Sequence, residues 1–298
     1  MDVTIFGIEL TLKPIAFSIN IGSFSWDIYW YGIIIAIGFL LALIYGYTNA
    51  KRFNINIDRM LDVVLVAVPV AILSARTYYV IFDGEKLNGI GDFFGFGDSS
   101  GFSGLAIYGG VIGAFISGGL MCLIRKVNIL DMFDIASIGF LIGQGVGRWG
   151  NFVNQEAFGS LTGSNWWGME SVNTVAVAGE GLVHPCFLYE SIWCITGFFI
   201  LHHFSKKRKF SGQIVLMYCT WYGLGRGFIE LLRTDSLMIG NIRVSSLLSF
   251  LICITASIML AVLNKRIRKS KEGYTSLFED EEETLDIEIP TTEETENG

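Results

Sequence analysis

Residues 28–48 read IYWYGIIIAIGFLLALIYGYT, 21 consecutive positions without Asp, Glu, Lys, Arg or His. As a helix rising ~1.5 Å per residue, such a run is about 31 Å long, enough to cross a hydrocarbon core of ~30 Å. Six further stretches of the same kind follow, near 60–82, 104–124, 132–150, 187–204, 212–232 and 243–263, the third and fourth diluted by glycines and polar residues. Composition agrees. The 298 residues are 52% hydrophobic and only 16% charged, against about 25% charged in ordinary globular proteins, and the mean hydropathy is +0.52. Soluble domains, disordered chains, collagen-like repeats and disulfide scaffolds are excluded. The expected class is an all-α polytopic membrane protein with seven transmembrane helices.

Charge placement sets an expected orientation. Fourteen of the 21 basic residues fall in alternate connections: Lys51, Arg52 and Arg59; Arg125 and Lys126; Lys206 to Lys209; and Lys265, Arg266, Arg268, Lys269 and Lys271. The opposite loops hold only Lys86, Arg233 and Arg243, with Lys13 before the first span. Basic loops stay cytoplasmic, so the N-terminus is expected outside and the C-terminus inside. Residues 1–27 lack the basic start and apolar core of a cleaved signal and read as an extracytoplasmic segment. Residues 28–263 form the membrane domain, and 264–298 a cytoplasmic tail, first basic and then acidic. Residues 272–298 carry eleven acids and no Lys or Arg; removing them from the net charge of −7 leaves the rest near +4. The acidity thus describes a solvated, disordered tail and selects no partner, nucleic acid included. Five cysteines without a CxxC pair read as small buried hydrophobes, and three histidines supply no zinc pattern.

Three arginines, Arg76, Arg148 and Arg226, lie within or at the end of apolar stretches. Each costs ~2.5–3.5 kcal/mol near the bilayer centre unless paired or facing a polar cavity. The segment 147–159, GRWGNFVNQEAFG, adds Asn151, Asn154, Gln155 and Glu156 to Arg148, with Gly139, Gly143 and Gly147 laddered upstream. A capped helix end with Arg148 snorkelling is the plain explanation. The density of polar side chains favours an anion site in which Arg148 donates and the Asn amides orient. In the sixth stretch Tyr222, Arg226 and Glu230 recur every four residues and Arg233 follows, one polar helical face. Arg226–Glu230 also reads as a structural ion pair, and the flanking Gly223, Gly225 and Gly227 suggest room for something bulky. Asp134 lies ~21 Å along the helix from Arg148 and reads as a brace at the far end; Arg76 is a secondary candidate.

The segment 147–159, together with Trp30-Tyr31-Gly32, Tyr108-Gly109-Gly110-x-Ile112-Gly113, His184-Pro185-x-x-Leu188-Tyr189-Glu190 and Arg226-x-x-x-Glu230, resembles the phosphatidylglycerol–prolipoprotein diacylglyceryl transferase family. These are the bacterial enzymes of the first step in lipoprotein maturation. The resemblance covers residues ~25–263. It implies a seven-helix, multi-pass plasma-membrane enzyme with a small periplasmic head, mostly residues 151–185 here, and no metal or cofactor. Its implied partners are phosphatidylglycerol, surrounding membrane lipid, and a prolipoprotein signal peptide carrying a lipobox cysteine. The cysteine thiol would attack the glycerol carbon, and glycerol-1-phosphate would leave.

Carried over by motif, the catalytic candidates are Arg148, Arg226, Glu156 and Tyr108. Tyr31, Asn151, Asn154, Gly159 and Glu230, with Arg148 again, are expected to bind substrate. Some family members have His where Tyr108 stands. A phenol with an ordinary pKa near 10 is a poor base, so orientation by hydrogen bonding is the expected role. The competing class is a seven-helix transporter or receptor for small anions; no inverted repeat of hydropathy and no lysine midway along the seventh stretch support it.

Overall fold

The computed structural model describes residues 1–21, 24–83, 93, 106–236, 238–240 and 242–270. Residues 271–298 of the expected tail therefore lie outside the described residues, as do Gly104 and Leu105 at the start of the third stretch. Among the described residues the long helices are α1 (Trp30–Asn49), α2 (Ile57–Asp83), α3 (Ile107–Ile124) and α4 (Ile129–Asn154). After the short α5 (Val172–Ala178) come α6 (Cys186–Ser205), α7 (Gln213–Leu232) and α8 (Val244–Ser270). Among the described residues four segments, Trp30–Phe53, Ile57–Phe82, Ile129–Asn154 and Val244–Ile267, are long and apolar enough to cross a membrane, and Tyr108–Ile124 is a shorter apolar helix.

The chain is not all-α. Strands β1 (Asp2–Ile5), β2 (Ile8–Thr11), β3 (Ile15–Ile21) and β4 (Phe24–Tyr29) occupy the N-terminal segment, and β5 (Met169–Ser171) precedes α5. A further hairpin, β6 (Met238–Ile239) with β7 (Ile242–Arg243), joins α7 to α8. β1 pairs antiparallel with both β2 and β5, bringing Val3 opposite Ser171. Strands this short carry little periodicity of their own, and the β1–β5 pairing joins distant parts of the chain. Together with Phe152, Phe158, Met169, Val183 and Phe187, Val3 forms a second core beside the helices.

Small residues set the helix spacing. A Cβ at Gly38 of α1 would lie 3.3 Å from the backbone of Gly143 in α4, and one at Gly150 would lie 2.6 Å from the Tyr31 ring. Close approach of this kind needs small side chains at the contact. Between α6 and α7 the indoles of Trp193 and Trp221 stack with centroids 4.3 Å apart. Each indole N–H donates to the other residue's carbonyl, at 2.9 and 3.0 Å. Gly225 faces Trp193 and Gly197 faces Trp221 at distances no Cβ tolerates. The glycines around Arg226 therefore make room for neighbouring protein rather than for a ligand: a Cβ at Gly223 would meet the Ser249 carbonyl at 2.7 Å, and one at Gly227 the Phe250 ring at 2.7 Å.

At the end remote from β1, Asp134 is fully buried and accepts from Arg208 Nη1 at 2.9 Å. It also accepts from the backbone N–H groups of Gly212 (2.9 Å) and Val215 (2.8 Å). The carboxylate of α4 thus caps the start of α7, satisfying donors that a helix N-terminus leaves unpaired. Asp131 joins the same guanidinium at 2.8 Å. Asp134→Leu should leave both N–H groups without their acceptor and Arg208 with Asp131 as its remaining carboxylate, at a cost of about 1–3 kcal/mol for each stranded donor. Thermal melting of the detergent-solubilised protein checks this, with Asp134→Asn expected to fall less; equal melting for Leu and wild type would contradict the brace.

Candidate active site

The fold gathers three helices on one carboxylate. Glu190, in the second turn of α6, is 2% exposed. Its Oε1 accepts from Arg148 Nη2 of α4 at 2.6 Å and from the Tyr222 hydroxyl of α7 at 3.0 Å. Its Oε2 accepts from Arg226 Nη1 of α7 at 3.1 Å. Arg226 Nη2 also pairs with Glu230 Oε2 at 2.6 Å, one helical turn on. Arg148 Nη1 donates to Asn151 Oδ1 at 3.1 Å, and Asn151 Nδ2 donates to Glu156 Oε1 at 2.8 Å. Arg233, at the C-terminal cap of α7, forks onto Asp235 at 2.9 and 2.7 Å. Burial pushes the Asp235 carboxyl up, but the Arg233 hydrogen bond and charge outweigh it and hold it below its ordinary value.

The guanidinium groups are fixed yet reachable. Arg148 and Arg226 side chains keep 20% and 18% exposure. Both line a cavity of ≈ 830 Å³, together with Tyr31, Asn151, Glu156, Arg233 and Asp235. Glu190 and Glu230 lie outside that lining, behind the guanidinium groups. A guanidinium has five N–H donors, and the contacts above engage two nitrogens of each arginine, so both retain donors toward the cavity. Away from this polar end the cavity is walled by Ile35, Phe39, Ala67, Phe115, Phe133 and Phe140 from α1 to α4. One end suits an oxyanion, and the other suits hydrocarbon.

Most residues singled out by sequence meet here. Tyr31 packs over Gly150 at the cavity edge. Gly159 is a backbone junction: its N–H donates to the His184 carbonyl at 2.9 Å, it pairs with Arg233, and a Cβ would lie 2.7 Å from His184 Cβ. Asn154 ends α4 and lies outside the cavity lining. Tyr108, 63% exposed in the first turn of α3, also lies outside it. Arg76 stands apart, 2% exposed, donating from Nε to the Phe93 carbonyl at 3.1 Å and lying over the Tyr79 ring.

Glu190 was named in the 184–190 motif but given no role in the site, although an acid inside the apolar stretch 187–204 obeys the same rule that singled out the arginines. His184 bonds Tyr189 through Nδ1 at 3.1 Å, and Trp167 donates to the same hydroxyl at 2.7 Å. Burial lowers the His184 pKa, leaving the ring neutral at neutral pH.

The family model described as prolipoprotein diacylglyceryl transferase matches residues 14–262. A phosphatidylglycerol–prolipoprotein diacylglyceryl transferase of Clostridium perfringens is 41% identical over 268 residues, covering 88% of this chain and 98% of that protein. The enzyme of that name from Finegoldia magna is 42% identical over 267 residues, covering 88% and 100%. The one from Clostridioides difficile is 39% identical over 248 residues, covering 82% and 94%.

Glu190→Ala should destabilise the protein by about 3–5 kcal/mol, because it strips two guanidinium groups of their shared partner. A double-mutant cycle pairing Glu190→Gln with Arg148→Gln should return a coupling energy of about 0.5–3 kcal/mol in melting experiments. Additive effects would mean the pair is not linked.

Proposed function

The chain belongs to the prolipoprotein diacylglyceryl transferase family, and from that membership we propose that the Glu190-centred cluster is where it moves a diacylglyceryl group from phosphatidylglycerol to a prolipoprotein cysteine. The observation that carries this is the cavity whose polar end presents Arg148 and Arg226 and whose remainder is hydrocarbon-lined. A diacyl phospholipid has that same division. In this reading the seven long helices all cross the bacterial plasma membrane, the N-terminus and a head built from residues 1–21, 24–29 and 151–185 face outward, and the basic end faces the cytoplasm.

Chemically, the substrate thiol gives its proton to a base, and the thiolate sulfur attacks the glycerol carbon that carries the phosphoester oxygen. The new C–S bond replaces the C–O bond, whose electron pair leaves on glycerol-1-phosphate. A cysteine thiol titrates near 8.5, so a nearby proton acceptor is needed. Glu156 is assigned that role: it lines the cavity, and it accepts a hydrogen bond from Asn151 rather than from a guanidinium. Arg148 and Arg226 bind the phosphate and stabilise the charge that grows as it departs, which fixed cations in a dry site do best. Glu190 and Glu230 hold them from behind, Asn151 orients Arg148, and Tyr31 closes the cavity beside the phosphate. Tyr108 moves no proton.

The deciding experiment incubates the protein in phosphatidylglycerol vesicles with a lipobox peptide and looks for the thioether by mass spectrometry. Arg148→Ala and Arg226→Ala should each lower kcat by about 10²–10³, or ~2.7–4 kcal/mol, while still inserting into membranes. Tyr108→Phe should keep most of the activity. Wild-type turnover in either arginine variant would overturn the phosphate assignment.

A further inference from the structure

A second, smaller cavity of ≈ 360 Å³ adjoins the first, lined by Gln155 to Phe158, by Asn173, Ala176 and Val177 of α5, and by Thr234 and Asp235. The two cavities share Glu156, Ala157 and Asp235 as a common wall. We propose that this groove seats the polypeptide substrate, as an extended segment beside its reacting cysteine; the inference rests on the transferase reading and names where its second substrate lies.

Electrostatics separates the two spaces. Arg148, Arg226 and Arg233 line the larger cavity and not the groove, whereas the Glu156 and Asp235 carboxylates border both. An anionic lipid phosphate is drawn to the arginine side. The groove repels anions and favours hydrogen-bond donors, which an extended peptide supplies as backbone N–H groups. Gln155 fits that requirement: it is 2% exposed, and among the described residues its Oε1 has no hydrogen-bond partner. Val177, 67% exposed, offers apolar contact for peptide side chains.

The wall itself is unusually shaped. Gln155 and Ala157 hold left-handed backbone, φ +54° and +57°, which side chains other than Gly, Asn and Asp seldom adopt. These kinks carry the chain out of α4 and leave Glu156 between the two cavities. A thiol approaching over this wall meets the Glu156 carboxylate before it meets the lipid carbon, the order that the proton transfer requires.

Filling the groove tests the assignment. Val177→Trp and Ala176→Trp, in the full-length protein, should raise KM for a lipobox peptide about tenfold with KM for phosphatidylglycerol and the melting temperature unchanged. An unchanged peptide KM, or an equal rise for the lipid, overturns the proposal. Should the tryptophan variants fail to fold, a photoreactive benzoylphenylalanine at position 177 decides: it should cross-link the peptide, while one at Ile116, 60% exposed on α3, should not. The opposite pattern overturns the groove. Absence of thioether with the unaltered protein would instead sink the transferase reading, so the two failures remain distinct.

Discussion

One carboxylate holds the polar centre together. Glu190 is buried, and a lone buried charge is too costly to persist; Arg148 and Arg226 are cations within reach of each other and repel unless something negative lies between them. Each side solves the other's problem. Because the three residues come from α6, α4 and α7, the arrangement exists only when all three helices are seated. Removing the carboxylate would free neither arginine for better work; it would leave Arg148 held by Asn151 and Arg226 by Glu230, with nothing joining the two.

The helix contacts are built to permit that meeting. α4 lies close to α1 through glycine, α6 lies close to α7 through two indoles received by two glycines, and Ser191 Oγ of α6 donates to the Gly145 carbonyl of α4 at 2.8 Å. A bulkier residue at any of these points would move a helix by more than a hydrogen bond allows. The buried pairs therefore depend on close backbone packing, and that packing is what keeps guanidinium donors facing an open cavity.

Sequence showed this only in part. The arginines were legible because charge in a hydrocarbon stretch is expensive wherever it stands, and Arg226–Glu230 was legible because four residues is one helical turn. Arg148–Glu190 was not, since 42 residues separate the partners and no local spacing encodes the contact. Asp134 read as a brace, and it is one, but its partners Arg208, Gly212 and Val215 lie far along the chain. The glycines of α7 read as room for something bulky, and the Trp193 and Phe250 rings fill it; a missing side chain marks close approach without saying what approaches. The N-terminal strands, four to seven residues long, were missed because elements this short show no reliable alternation, and the β5 partner of β1 lies far along the chain.

The stacked pair Trp193 and Trp221 has one more consequence. Indoles this near, at an interplanar angle of 16°, share their electronic excitation, so their circular dichroism in the near ultraviolet varies with the separation of the two rings. They sit three residues from Glu190 and five residues from Arg226, respectively. The molecule thus carries its own optical gauge of the distance between the helices that hold its central charges, readable without any added label.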